Sequence, residues 1–187
     1  MAVSGIPSEG PAEYSAFAKT LHWLVLGLLA IQFALAWSLP DIPPGEPPES
    51  IASLHMSFGI AILAVMLVRL VWRVRHRVPP LPEAIAPGLA WTARLIHFAF
   101  YLLLVALPVI GWARASPIGW RVYVFGLGPL PRLVTPGASL KSLLGWLHGN
   151  LAIVVLVLVG LHVAAALYHH FVRRDDVLRR ILPMGGR

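Results

Sequence analysis

A chain of 187 residues with 58% apolar and only 12% charged side chains, and a mean hydropathy of +0.76, has too little charge to solvate a globule of its size, so lipid must be part of its solvent. It contains no cysteine, which excludes thiolate-held iron–sulfur clusters, covalent c-type haem, disulfides and cysteine nucleophiles. Its net charge of +7 would suit nucleic acid in a soluble protein, but here the basic residues flank apolar runs and suit anionic lipid head groups instead.

Residues 1–19 are polar, carry Pro7 and Pro11, and lack the charged-then-apolar layout of a secretory signal, so the first apolar run is expected to be retained. Four long apolar stretches follow. They predict an all-α integral membrane fold, a single domain over 1–187 built as a four-transmembrane-helix bundle with helices over about 20–40, 50–72, 93–113 and 142–172. About 20 residues of helix cross a bilayer core of about 30 Å, and backbone groups in lipid must bond within their own segment.

The connections differ in charge. The first, Pro40 to Glu49, holds five prolines with Asp41, Glu46 and Glu49 and no basic residue. The second carries Arg69, Arg73, Arg75, Arg77 and Arg94; the third carries Arg114, Arg121, Arg132 and Lys141; the tail carries Arg173, Arg174, Arg179, Arg180 and Arg187. An even number of crossings puts Lys19, the second connection and the tail on one side, which gathers eleven of the fifteen basic residues. The positive-inside rule then predicts that both termini are cytoplasmic. Within the third connection, Gly119 to Pro131 (GWRVYVFGLGPLP) is too short to cross. It is expected to lie interfacially over the outer helix ends, with Trp120 and Tyr123 at head-group depth.

Eight histidines occur, and their depths pair. His55 and His148 fall near the outer ends of the second and fourth helices, and His22 and His162 near the inner ends of the first and fourth. Fourteen residues of helix bring His148 and His162 to within roughly 40° of one face and about 21 Å apart. That suits two stacked b-type haems, each held between two neutral imidazoles from facing helices. Gly59, Gly149, Ala152, Gly160 and Ala166 leave room beside these positions, as small residues also do in ordinary membrane helix packing. The plainer alternative for each histidine is interhelical hydrogen bonding. A small-ion site is disfavoured because no carboxylate or thiol lies within the spans.

The other histidines and the basic residues divide. His97 starts the third helix on the inner side and is a candidate contact for the inner haem or a quinone, with plain packing as the alternative. His169, seven residues after His162, shares its face and is a candidate donor to a quinone carbonyl or haem propionate; His170 points away, and His76 belongs to a solvated basic run. Arg69 and Arg73 serve as membrane anchors and as candidate partners for haem propionates. The outer Arg114, Arg121, Arg132 and Lys141 run against the positive-inside rule; they read either as part of a translocated loop or as a positive mouth attracting a small anion.

These residues resemble the bacterial cytochrome b561 family over about Lys19 to Pro183. The likeness rests on LHWLV around His22, LHMSFGI around His55, HFAFYLLLVALPVIGW from His97, WLHGN around His148, GLHVAAALYHHF from His162 to Phe171, and the DDVLRRILP tail. The resemblance implies a di-haem cytochrome of the bacterial inner membrane with His22, His55, His148 and His162 as iron ligands. It implies a superoxide:ubiquinone oxidoreductase in which superoxide gives its electron at the outer side, leaving dioxygen, and ubiquinone is reduced, with His169 as a quinone contact. In that mechanism Arg114, Arg121 and Lys141 are the candidate catalytic residues that steer the anion. No nucleic-acid partner is expected.

Two rival readings make different demands. A haem-carrying anchor subunit would pass electrons from a partner dehydrogenase, of hydrogenase or formate dehydrogenase type, to quinone, and would co-purify with that partner. A non-redox transporter or scaffold would be colourless, with its histidines as packing or proton-relay groups and Pro108 as a hinge.

Overall fold

The computed structural model describes residues 14–43, 45–76, 79, 87–137 and 139–183. The first thirteen residues, Pro44, Arg77, most of the proline-rich stretch before the third helix, and Arg187 lie outside the described residues. Four helices account for most of the rest: α1 (Ala16–Trp37), α2 (Ser50–Arg75), α3 (Pro87–Ala115) and α4 (Lys141–Tyr168). All four are long and apolar enough to cross a membrane.

Local chemistry sets where each helix begins and ends. Ser15 caps α1 by accepting the Ala18 N–H, so the helix starts before the apolar run does. It stops at Ser38, two residues before Pro40, where the prolines of the first connection begin. α2 runs past its apolar stretch through Arg73 and Arg75, whose cations favour the carbonyl end of a helix. α3 starts at Pro87, whose ring fits a first helical turn, and so takes in the polar residues Thr92 and Arg94 ahead of the apolar run. α4 does not end cleanly; it widens into one π-helical turn, His169–Arg173, and a short 3₁₀ turn follows at Arg179–Ile181.

Backbone packing is closest between successive helices, α1 on α2, α2 on α3 and α3 on α4. The core sits at mid-span, where Val25, Leu29, Ile62, Met66, Leu104 and the fully buried Val155 meet. Large apolar side chains such as Leu95, Phe98, Leu102, Val157 and Leu161 point outward, as lipid-facing positions must. Both described chain ends meet at one end of the bundle. There the Trp23 indole N–H donates to the Ile181 carbonyl at 2.9 Å, and Phe17 packs on Trp72 with ring centroids 4.5 Å apart. We call this the terminal end.

The opposite end carries the one departure from helix among the described residues that forms a sheet. β1 (Tyr123–Val124) and β2 (Leu127–Pro129) make a short antiparallel hairpin, pairing Tyr123 with Pro129 and Val124 with Leu127. Its tip turns through Phe125 and Gly126, both at positive φ. Ser57 of α2 anchors it. The buried hydroxyl accepts the Phe125 N–H at 3.0 Å and lies 3.0 Å from the Tyr123 carbonyl and 2.9 Å from the Ser53 carbonyl, either of which can take its proton. Phe125 packs edge-on against Phe58, Trp120 donates to the Glu46 carbonyl, and Trp112 donates to the Pro131 carbonyl. The segment Gly119 to Pro131 is therefore tied to α2, to α3 and to the first connection.

Replacing Ser57 with alanine removes the partner of the Phe125 N–H, a part-buried bond worth about 0.5–1.5 kcal/mol. Hydrogen exchange across residues 119–131 is expected to quicken in Ser57→Ala, with the helical spans unchanged; unchanged exchange in the hairpin would show that the serine does not anchor it.

Candidate functional site

One face of α4 organises the site. His148, Val155, His162 and His169 recur every seven residues, and seven helical steps return to within about 20° of the starting direction after about 10 Å of rise. Val155 fills the centre. On one side of it the His148 ring faces His55 of α2, with centroids 6.1 Å apart and planes inclined at 76°. On the other, His162 faces His22 of α1 at 6.3 Å and 62°. Because the α4 backbone packs chiefly on α3, both pairs span the wider gaps from α4 to α2 and to α1.

These separations can be compared with what a shared metal requires. A metal–imidazole bond is about 2 Å long and the ring centroid lies about 1 Å behind the nitrogen, so two imidazoles on opposite faces of one ion have centroids about 6 Å apart. Both pairs meet that value. The hairpin-end pair has further features that a bound haem would answer. A cavity of about 500 Å³ lies beside it, lined by His55, His148, Gln32, Gly59, Gly111 and Ala152 among others, within the usual range for cofactor sites. His55 Nδ1, His148 Nδ1 and Gln32 Oε1 are buried with no hydrogen-bond partner, each an expense of about 1–3 kcal/mol if left so. Gly111 is the wall of the cradle: a Cβ there would lie 2.9 Å from His148 Cε1. A Cβ at Gly59 would make only an ordinary 3.4 Å contact with the Gln32 amide nitrogen, which itself lies 3.2 Å from His55 Nε2. The residues present fit a flat macrocycle held by two neutral imidazoles.

The terminal-end pair is more polar. Arg69 reaches His22 Nδ1 at 3.2 Å and donates to the Tyr101 hydroxyl at 3.3 Å, with its guanidinium over the Tyr101 ring. A cavity of about 310 Å³ opens next to Arg69, lined also by Arg73, Trp72, His76, Tyr101 and Ile181 among others; neither His22 nor His162 is part of its lining. His97 stands edge-on to His162 at 5.5 Å and donates from Nδ1 to the Ala93 carbonyl. Phe100 closes the other edge of His162 at the same distance. Among the described residues no group of three or more His, Asp or Glu side chains is arranged to hold a single metal ion.

Of the basic residues singled out in the sequence, Arg114 and Lys141 line the hairpin-end cavity, together with Asp41. Arg121 and Arg132 are exposed and lie outside its lining. His169 is mostly withdrawn from solvent and donates from Nδ1 to Asp175 Oδ2 at 2.5 Å; Arg173 lies 3.6 Å from the same oxygen. Burial of Asp175 works to raise its pKa, but the His169 hydrogen bond, the Val177 N–H and the charges of His169 and Arg173 together hold it below the ordinary aspartate value. His76 stacks on Trp72 at 3.6 Å, and His170 packs on Phe171.

Four participants escape sequence reasoning. Gln32 was one polar residue in an apolar run, Ser57 and Gly111 looked like ordinary small packing residues, and Asp175 lay in a charged tail. Only Gln32 carried a signal, since an amide inside a span needs a partner. Gly111→Leu is expected to displace the His148 ring and lower haem content, whereas Gly27→Ala, at a helix glycine with open space around it, leaves haem content unchanged. Quantifying haem as its pyridine complex in both variants checks this.

The comparisons with known proteins identify the family. Residues 13–184 match the family described as prokaryotic cytochrome b561. The chain is 35% identical over 175 residues to the probable superoxide oxidase CybB of Yersinia pestis, covering 91% of this chain and 96% of that protein. It is 31% identical over 176 residues to cytochrome b561 homolog 1 of Escherichia coli strain K12, covering 89% and 97%, and 34% identical over 178 residues to homolog 2 of the same strain, covering 92% of each. The chain belongs to the prokaryotic cytochrome b561 family, and is a haem-b-binding, multi-pass membrane protein of electron transfer.

Proposed function

We propose that the chain binds two haems b, one between His55 and His148 and one between His22 and His162, and that it oxidises superoxide at the hairpin end and reduces ubiquinone. The observation that carries this reading is the pair of imidazole couples, 6.1 Å and 6.3 Å apart, on one face of α4. Both termini are cytoplasmic in this reading, by the charge balance of the connections, so the hairpin end faces the periplasm of a bacterial inner membrane.

When bound, haem b supplies reversible one-electron chemistry at a potential set by its ligands, its burial and nearby charge. The protein's own groups do the rest. The four imidazoles fix position and orientation, and the apolar plug around Val155 keeps water from the middle of the span. Arg114 and Lys141, beside the His55–His148 cavity, place positive charge where an anion must approach, and Asp41 limits its extent. At the terminal end Arg69 and Arg73 offer guanidinium groups to haem carboxylates. Two superoxide anions each lose one electron and leave as dioxygen, and one ubiquinone takes up two electrons and two protons to become quinol. His169 is the candidate proton donor. The superoxide step gains support from the name of the Yersinia pestis relative, and an outer-sphere transfer of this kind needs no general acid or nucleophile at the donor side.

The purified protein is expected to show low-spin b-haem bands, two haems per chain, and quinol formation when superoxide and ubiquinone are supplied. Two haems that superoxide fails to reduce, together with a co-purifying dehydrogenase subunit, would replace this reading by the anchor-subunit one. Arg114→Gln with Lys141→Gln is expected to slow superoxide oxidation several-fold at low ionic strength and to converge on the parent rate at high salt, because screening removes what the charges contribute. A salt-independent loss would assign these residues another role.

A further inference from the structure

The π turn at the end of α4 builds a histidine–carboxylate dyad that the electron-transfer reading does not by itself require. In an unbroken α-helix the side chain six residues on from His169 would lie about 240° around the axis and about 9 Å further along it, out of reach. The chain avoids this. It widens into the π turn His169–Arg173, places Arg174 in the left-handed region at φ 54°, and closes the loop with the Asp175 N–H donating to the His169 carbonyl at 3.2 Å. A wide turn closed by a left-handed residue is a common way for a helix to stop. Here the outcome of the distortion is one contact, Asp175 Oδ2 on His169 Nδ1.

The carboxylate is itself held from two sides. Arg173 lies beside Oδ2, and Oδ1 accepts the Val177 N–H at 3.2 Å. An ionised carboxylate only accepts hydrogen bonds, so the ring nitrogen facing it must carry the proton, and the exchangeable position becomes Nε2. The His169 side chain is 16% exposed and belongs to the face of α4 that bears His148 and His162, about 10 Å further along than His162. A histidine serving only solubility would have no reason to be withdrawn from water and oriented by an anchored anion.

We propose that Asp175 is a positioning residue that fixes His169 in the Nδ1–H form, so that Nε2 is the nitrogen that passes protons to the quinone as it is reduced. The proposal rests on the reading above that this chain reduces a quinone, and adds the group that orients its proton donor. In the step, the Nε2–H bond of the imidazolium breaks as an O–H bond forms on the quinone oxygen. The ring is left as the neutral Nδ1–H tautomer, which Asp175 holds. Water at the membrane surface returns the proton to Nε2. The electrons come from two superoxide anions, one each, and two protons are consumed per quinone.

The test uses the full chain, loaded with haem in lipid nanodiscs, as parent, Asp175→Asn, Asp175→Glu and His169→Gln. Nitrogen chemical shifts of the ¹⁵N-histidine-labelled, dithionite-reduced protein report the His169 tautomer, with His169→Gln supplying the assignment. Stopped-flow mixing separately measures haem reduction by superoxide and ubiquinone reduction by the pre-reduced protein. The expected result is the Nδ1–H tautomer in the parent and its loss in Asp175→Asn. Ubiquinone reduction should then slow about a hundredfold in Asp175→Asn, in the range for removing an oriented general acid, with haem content and superoxide-driven haem reduction unchanged and substantial rescue in Asp175→Glu. Parental ubiquinone reduction in Asp175→Asn, or an unchanged tautomer, overturns the proposal while leaving the quinone reading intact. A parent that superoxide reduces but that never reduces ubiquinone overturns the quinone reading itself, and this proposal with it.

Discussion

In a membrane span a buried polar group is costly unless something within the bundle answers it, and α4 gathers its histidines onto one repeating face. His148, Val155, His162 and His169 follow one another at seven-residue intervals, and each faces a different neighbour: His55, the apolar core, His22, and Asp175. Seven residues is close to two helical turns, so the repeat turns only slowly around the axis. A shift of one residue anywhere in the repeat would swing an imidazole by about 100° into lipid, where its unpaired polar groups are costly. The rest of the bundle accommodates this stripe. α3 packs closely on α4 and contributes Gly111 as the wall against His148, while α1 and α2 stand further off and reach it through their own histidines.

The two ends of the stripe differ in what surrounds them. At the hairpin end a cavity of about 500 Å³ with orphaned imidazole and amide atoms lies beneath a clamped hairpin, and the cations at its mouth are Arg114 and Lys141. At the terminal end the space is smaller, with arginines reaching into it and the tail folded back through Trp23 and the His169–Asp175 contact. In the proposed reading, one end receives a small anion and the other receives groups that carry acid oxygens or protons. An electron path between them would need no side-chain chemistry in the middle, and the middle is accordingly apolar, with Val155 fully buried.

Much of this was legible in the sequence, for a definite reason. Uncharged runs of about 20 residues have few alternatives to a membrane helix, and depth along such a helix is a matter of counting, so the pairing of His55 with His148 and of His22 with His162 is reached without coordinates. What resisted was lateral information. Counting does not show that Arg114 and Lys141 line the cavity while Arg121 does not, because all three sit in a connection whose path the apolar pattern leaves open. Ser57 and Gly111 are residue types that serve any close helix packing, and nothing local distinguishes a serine that anchors a hairpin from one that bonds its own helix. The His169–Asp175 contact breaks helical periodicity, so a periodic reading necessarily separates the two residues that the π turn joins.

The central claim is that two imidazole couples on one face of α4 each hold an iron. X-ray diffraction from crystals of the haem-loaded protein, recorded on both sides of the iron absorption edge, addresses it without reference to activity. The account predicts two anomalous peaks per chain, one between His55 and His148 and one between His22 and His162, about 21 Å apart as fourteen helical residues dictate. A single peak, or a peak seated between His97 and His162 instead of between His22 and His162, would contradict it.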